Sequence, residues 1–157
     1  MPDRRTLHLH ELVGEVLDAM GRYDADALHP LVAPDVVWWA PPSAAARGVP
    51  RPLTGRDAVV PFLTGGLGYF RAGTITWDVH QLVAEGDVAA VAFTRRSLTA
   101  AGTPYENEYC LVLRFDGDQI AEAWEHADTA HAFAQIDRPE DTCTPRTPED
   151  RGGSVGT

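Results

Sequence analysis

Two strand-like runs joined by an Asp-Gly turn constrain this chain more than any other stretch. Tyr105 to Phe115 reads Tyr-Glu-Asn-Glu-Tyr-Cys-Leu-Val-Leu-Arg-Phe, Asp116-Gly117-Asp118 follows, and Gln119 to Asp128 forms a second run. Asp-Gly between two such runs predicts a β-hairpin. Side chains alternate along a strand. On the first strand Tyr105, Asn107, Tyr109, Leu111, Leu113 and Phe115 share one face, and Glu106, Glu108, Cys110, Val112 and Arg114 the other. On the return strand Ala121, Ala123, Glu125 and Ala127 fall on one side, and Ile120, Glu122, Trp124, His126 and Asp128 on the other. Three alanines clear space around one long acid. That face is expected to floor a pocket, with Glu125 inside it.

The rest of the chain supplies helices to cover such a sheet. Leu9, Leu12, Val13, Val16, Leu17 and Met20 recur at helical spacing, with Thr6 as the expected cap and Gly21 as the stop. Asp24 is expected to cap a short helix over residues 25–32. Val36-Val37-Trp38-Trp39 reads as a buried strand. Residues 41–54 carry four prolines and predict a long loop, either a lid or binding loop or a plain surface insertion. Gly55-Arg56-Asp57 opens a third helix, with Val59, Phe62, Leu63 and Leu67 as its apolar stripe. Strands are expected over residues 74–84 and 88–98, before the hairpin. Asp128 then caps a short final helix ending at Ile136. Helices followed by an antiparallel meander make an α+β domain, a strongly curved sheet with the helices on its concave side and a conical cavity between. The expected domain spans residues 1–136. Pro, Asp, Glu, Thr, Arg and Gly dominate residues 137–157, which are expected to form a disordered tail.

Composition narrows the partners. With 157 residues, one domain with a real core is expected. The formal charge is −10, from 23 acidic and 13 basic residues, which argues against nucleic acid and anionic membranes as partners. No apolar run approaches the ~20 residues that cross a bilayer, and the N-terminus leads into an amphipathic pattern, so a cytoplasmic protein is expected. Two cysteines in different settings, Cys110 and Cys143, predict no disulfide framework, and no Cys/His spacing predicts a zinc site. Neither a metal nor an organic cofactor is expected.

Candidate site residues follow from these faces. Glu125, buried among alanines, is expected to have a raised pKa and to act as general base or acid. Arg96 can hold Glu125 ionised or bind a developing oxyanion; Arg95 and Arg96 point oppositely, so only one faces in. Asn107 and Tyr109 can donate hydrogen bonds to a carbonyl or enolate oxygen, or satisfy each other in the core. Tyr105 lies on the same stripe. Trp38 and Trp39 alternate, so one can line an aromatic cavity while the other packs elsewhere. Tyr23 is placed at the cavity mouth. His126 and His80 enter the pocket only if the strand parity is reversed. The outer face, with Trp124, His126 and Val112, is the expected homodimer surface.

The order of elements and three stretches resemble the nuclear-transport-factor-2-like superfamily, in particular its SnoaL-like branch. The stretches are Tyr23-Asp24-Ala25-Asp26-Ala27-Leu28 continuing to Trp38, then Leu53-Thr54-Gly55-Arg56-Asp57-Ala58-Val59, then Asp116 to Asp128. The resemblance spans about residues 6–136. It implies the cone-shaped α+β barrel, a homodimer, and a scaffold that hosts isomerases, epoxide hydrolases, polyketide cyclases, dehydratases and non-catalytic binders alike. The Arg-x-Asp pair of limonene epoxide hydrolases would fall on Arg96 and Leu98, and their second Asp on Glu125. The ketosteroid isomerase base is replaced by Ala40, before Pro41. SnoaL-like cyclases use one acid near the end of the sheet, a role open to Glu125. The resemblance therefore implies cofactor-free acid–base chemistry on a small, apolar, oxygenated metabolite of polyketide or terpenoid type. Epoxide opening and ligand binding without chemistry are the alternatives.

Overall fold

The structure, a computed structural model, describes residues 1–137. Helix α1 (Arg4–Gly21) opens on Asp3, whose side chain accepts from the Thr6 backbone N–H at 2.7 Å. Thr6 is thus inside the helix and Asp3 is the cap. The apolar stripe from Leu9 to Leu17 is buried, as its spacing requires. Asp24 caps α2 (Ala25–Leu28), and Pro30 turns the chain into a 3₁₀ segment, His29–Leu31. The second helix is therefore shorter than its pattern suggests, because proline cannot continue the ladder of hydrogen bonds.

Strand β1 (Val32–Trp39) follows, then a 3₁₀ segment over Pro42–Arg47, a two-residue strand β2 (Leu53–Thr54) and helix α3 (Arg56–Leu63). The meander is β3 (Thr76–Glu85), β4 (Val88–Leu98), β5 (Pro104–Asp116) and β6 (Gln119–Ala127), and α4 (Thr129–Ile136) ends the described chain with Asp128 as its cap. The six strands form one sheet in the order β2-β1-β6-β5-β4-β3, antiparallel throughout except for β1 beside β6. The sheet curves without closing, and α1 packs on β3 and β4. The core lies between them: Val36 and Trp38 from β1, Val91 and Phe93 from β4, Leu111, Leu113 and Phe115 from β5, and the α1 stripe.

One irregularity resets the last strand. Phe115 pairs with Ile120, but Arg114 pairs with Glu122, so Ala121 is an extra residue. Ile120 is fully buried on the concave side, contrary to its expected outward placement. After the bulge, Ala123, Glu125 and Ala127 stand opposite Leu113, Leu111 and Tyr109 and face inward. Neither Ala121 nor Ala123 lines the cavity, so of the three alanines only Ala127 stands beside the acid there. Among the described residues no helix is long and apolar enough to cross a membrane. The expected tail lies outside the described residues, apart from Asp137.

Candidate functional site

The concave face encloses a cavity of about 140 Å³. Its walls are mostly aromatic and aliphatic, with Phe70, Trp77, Phe93, Tyr105, Tyr109 and Phe133 among the large lining groups. The segment after β1 contributes Pro41, Ala44, Arg47 and Val49, so this proline-rich stretch is part of the binding wall. Helix α4 contributes Thr129, Ala132, Phe133 and Ile136. It is held by Gln135, which brackets the backbone of Glu106 with hydrogen bonds of 2.9 Å in each direction. Arg47 lies over the Phe133 ring at 3.8 Å and donates to Asp137 at 2.9 Å, which keeps the Asp137 carboxyl below its ordinary range.

Glu125 is the single carboxylate among the described residues that line this cavity. Burial pushes its pKa up; a hydrogen bond from Trp38 and the charge of Arg95 oppose that rise. Trp38 is fully buried and donates Nε1–H to Oε2 of Glu125 at 3.0 Å. The indole therefore does not line the cavity; it aims the carboxyl from behind. That geometry leaves the rest of the carboxyl free to exchange a proton with a bound molecule.

Arg95, not Arg96, is the arginine that faces in. Val91, Phe93 and Arg95 share the concave side of β4, so Arg96 must point out, where it pairs with Glu106 at 2.6 Å and Asp78 at 3.7 Å. The Arg95 guanidinium sits 4.0 Å from the Phe70 ring centroid and 5.6 Å from that of Trp77. Its contact to the Tyr23 hydroxyl is long, at 3.5 Å. Its Nε is buried without an acceptor. Tyr23 has the left-handed φ of 55°, and a Cβ at Gly65 would lie 2.5 Å from its ring, so Gly65 is what lets the phenol fold against the mouth.

Two phenols of β5 that line the cavity form a pair. Tyr105 Oη and Tyr109 Oη are 2.6 Å apart, and Tyr109 stacks on Phe93. Burial raises both phenol pKa values, so both hydroxyls stay protonated. One proton is spent between them and one remains for a ligand.

Besides Arg96 and Trp38, four expected site residues fall elsewhere. Asn107 is buried but does not line the cavity; its Nδ2 donates to the Asp128 carbonyl at 3.1 Å, tying β5 to the start of α4. Trp39 faces the convex side and donates to Glu122 at 3.1 Å. His126 is exposed on that side, opposite Cys110. His80 sits at a bulge in β3, exposed, 2.6 Å from Thr94 Oγ1. With Arg95 inward, the residue two positions on is Ser97, not Leu98, and neither carries a carboxylate. The aromatic walls Phe70, Trp77 and Phe133 and the inward Arg95 are the site residues that pattern reading passed over. For Arg95 the signal was present in the apolar partners at Val91 and Phe93.

A helix-covered, open, curved sheet around one apolar cavity with one acid defines the cone-fold proteins related to nuclear transport factor 2. The SnoaL-like domain model matches residues 13–123, and the chain belongs to that family. Among solved structures, a candidate SnoaL-like polyketide cyclase from Jannaschia sp. CCS1 is 14% identical with a TM-score of 0.73, covering 88% of this chain and 98% of that one. The candidate polyketide cyclase IdmH from Streptomyces antibioticus is 22% identical with a TM-score of 0.68, covering 81% and 96%. A limonene-epoxide-hydrolase-like (LEH-like) epoxide hydrolase from M. tuberculosis is 16% identical with a TM-score of 0.67, covering 84% and 91%. These likenesses show the fold. No curated protein matched the sequence.

Proposed function

We propose that the protein is an acid–base enzyme of the cytoplasm that cyclises, isomerises or dehydrates a small, largely apolar, oxygenated metabolite of polyketide or terpenoid type, with the protein's own side chains as catalysts. One observation carries this reading: a single carboxyl with a raised pKa, oriented by an indole N–H, stands in an otherwise apolar cavity. Glu125 takes a proton from carbon next to a carbonyl, and the electron pair moves to the carbonyl oxygen. The free proton of the Tyr105–Tyr109 pair stabilises that oxygen. The same carboxyl, now protonated, returns the proton at another atom. Epoxide hydration would need a second acid, and the described lining offers none. The convex face, where Val112 and Trp124 sit side by side, is the surface for association as a homodimer.

The test is Glu125→Gln, assayed by hydrogen–deuterium exchange into small cyclic ketones. Wild-type protein is expected to catalyse the exchange, and the variant to lose at least about a hundredfold in rate, the range expected for a general base. Equal rates in the two proteins would remove Glu125 from the chemistry, and no exchange by either would leave a binding module.

A further inference from the structure

Arg95 presents a problem that the protein's own groups leave unsolved. A guanidinium carries five N–H donors in a planar fork. Here its faces are covered by Phe70 and Trp77, which suits a weakly hydrated cation. Its edge is poorly served, with one contact of 3.5 Å to Tyr23 and a buried, acceptor-free Nε. Among the described residues no carboxylate lies within 4.0 Å of it. Glu125 accepts from Trp38 and feels the charge of Arg95 without pairing with it. The other arginine in the lining, Arg47, is by contrast paired with Asp137. Arg95 is half-buried, and a guanidinium partly withdrawn from water with an unserved edge gains by meeting an anion.

The dimensions limit what that anion is. A cavity of about 140 Å³ is close to the roughly 150 Å³ that holds one benzene ring. Phe93 and Tyr109, stacked on each other at 8° from parallel, line the cavity together with Arg95. The protein's net charge of −10 works against anions in general, so any preference for one must arise locally.

We infer that the cavity binds a single-ring organic carboxylate, with the carboxylate on the Arg95 guanidinium and the ring among Phe70, Phe93 and Tyr109. This rests on the cavity being the functional site proposed above, and it gives the substrate class. The carboxylate anchors the molecule at Arg95 and leaves the opposite edge of the ring for Glu125.

The probes are benzoate and benzyl alcohol, which share a ring and differ in charge, titrated into the full chain by calorimetry. Wild type is expected to bind benzoate at least about tenfold tighter, as a charge-assisted pair implies. Arg95→Met should bring the two ligands level, and Arg95→Lys should keep part of the preference. Equal binding by wild type, or a benzoate preference that survives Arg95→Met, would overturn the inference. The wild-type comparison alone decides it if Arg95→Met does not fold. A benzoate preference in a protein that fails the ketone-exchange assay leaves this inference standing, and exchange activity without the preference leaves the catalytic proposal standing.

Discussion

Removing the indole N–H behind Glu125 should raise the proton affinity of that carboxyl. The donor is fully buried and its hydrogen bond is 3.0 Å long. It favours the ionised acid, against the burial that favours the neutral one. A hydrogen bond to a charged group contributes about 1.5–3 kcal/mol. At roughly 1.4 kcal/mol per decade, its loss should strengthen proton binding about ten- to a hundredfold. Phenylalanine at position 38 also leaves a void, at a cost of roughly 1–3 kcal/mol. Benzothienylalanine, which keeps the bicyclic shape and lacks the N–H, is the cleaner replacement. The assay is carbon-13 NMR titration of the glutamate side-chain carboxyls, with the Glu125 signal assigned by its absence from Glu125→Gln. In wild type that signal should titrate above the exposed glutamates, and in the Trp38 variants higher still. A Glu125 that titrates with the exposed glutamates, or that does not respond to loss of the N–H, would refute the account of how this acid is tuned.

Three further outcomes follow from the same geometry. Because the folded-state pKa of Glu125 is raised, the stability that its neutral form contributes is full below the ordinary carboxylate range and is lost as pH rises through the folded value. The melting temperature of Glu125→Gln relative to wild type should therefore climb over that window and then level off; a difference independent of pH would contradict it. Arg96→Gln should change stability by less than about 1 kcal/mol, the usual worth of an exposed ion pair, and leave benzoate binding unaltered in calorimetry. Sedimentation should give a dimer for wild type and a monomer for Trp124→Arg; a wild-type monomer would dispose of the proposed interface.

The elements were legible in the sequence where pattern and chemistry agreed. The α1 stripe, the β4 and β5 alternation, the Asp-Gly turn and the Asp128 cap all follow from periodicity and capping. What stayed hidden depends on contacts between distant segments. Nothing near Tyr23 in sequence announces its left-handed backbone, which needs the bare surface of Gly65. Asn107 reads correctly as a buried polar group, but its partner is a backbone carbonyl at Asp128. His80 lies at a bulge that its neighbours do not mark. Phe133 reaches the cavity only because Arg47 and Gln135 dock α4 there. The inward turn of Arg95 was recoverable, since a strand with Val91 and Phe93 on the core side leaves no choice for the next residue of that parity.

Ala121 turns out to govern which chemistry the protein carries. Counting straight back from the hairpin, with Phe115 against Ile120, an uninterrupted strand would set Trp124 against Leu111 and His126 against Tyr109. The cavity would then hold an imidazole and an indole, and the acid would lie in solvent. One supernumerary residue shifts the frame of everything after it and swaps the two sets. Loss of the Ala121 codon would close the bulge and keep Glu125 opposite Leu111, whereas pairing Ala121 into the ladder would turn the carboxyl outward and His126 inward. Which proton-transfer group the cavity holds is thus set by a backbone irregularity rather than by a substitution.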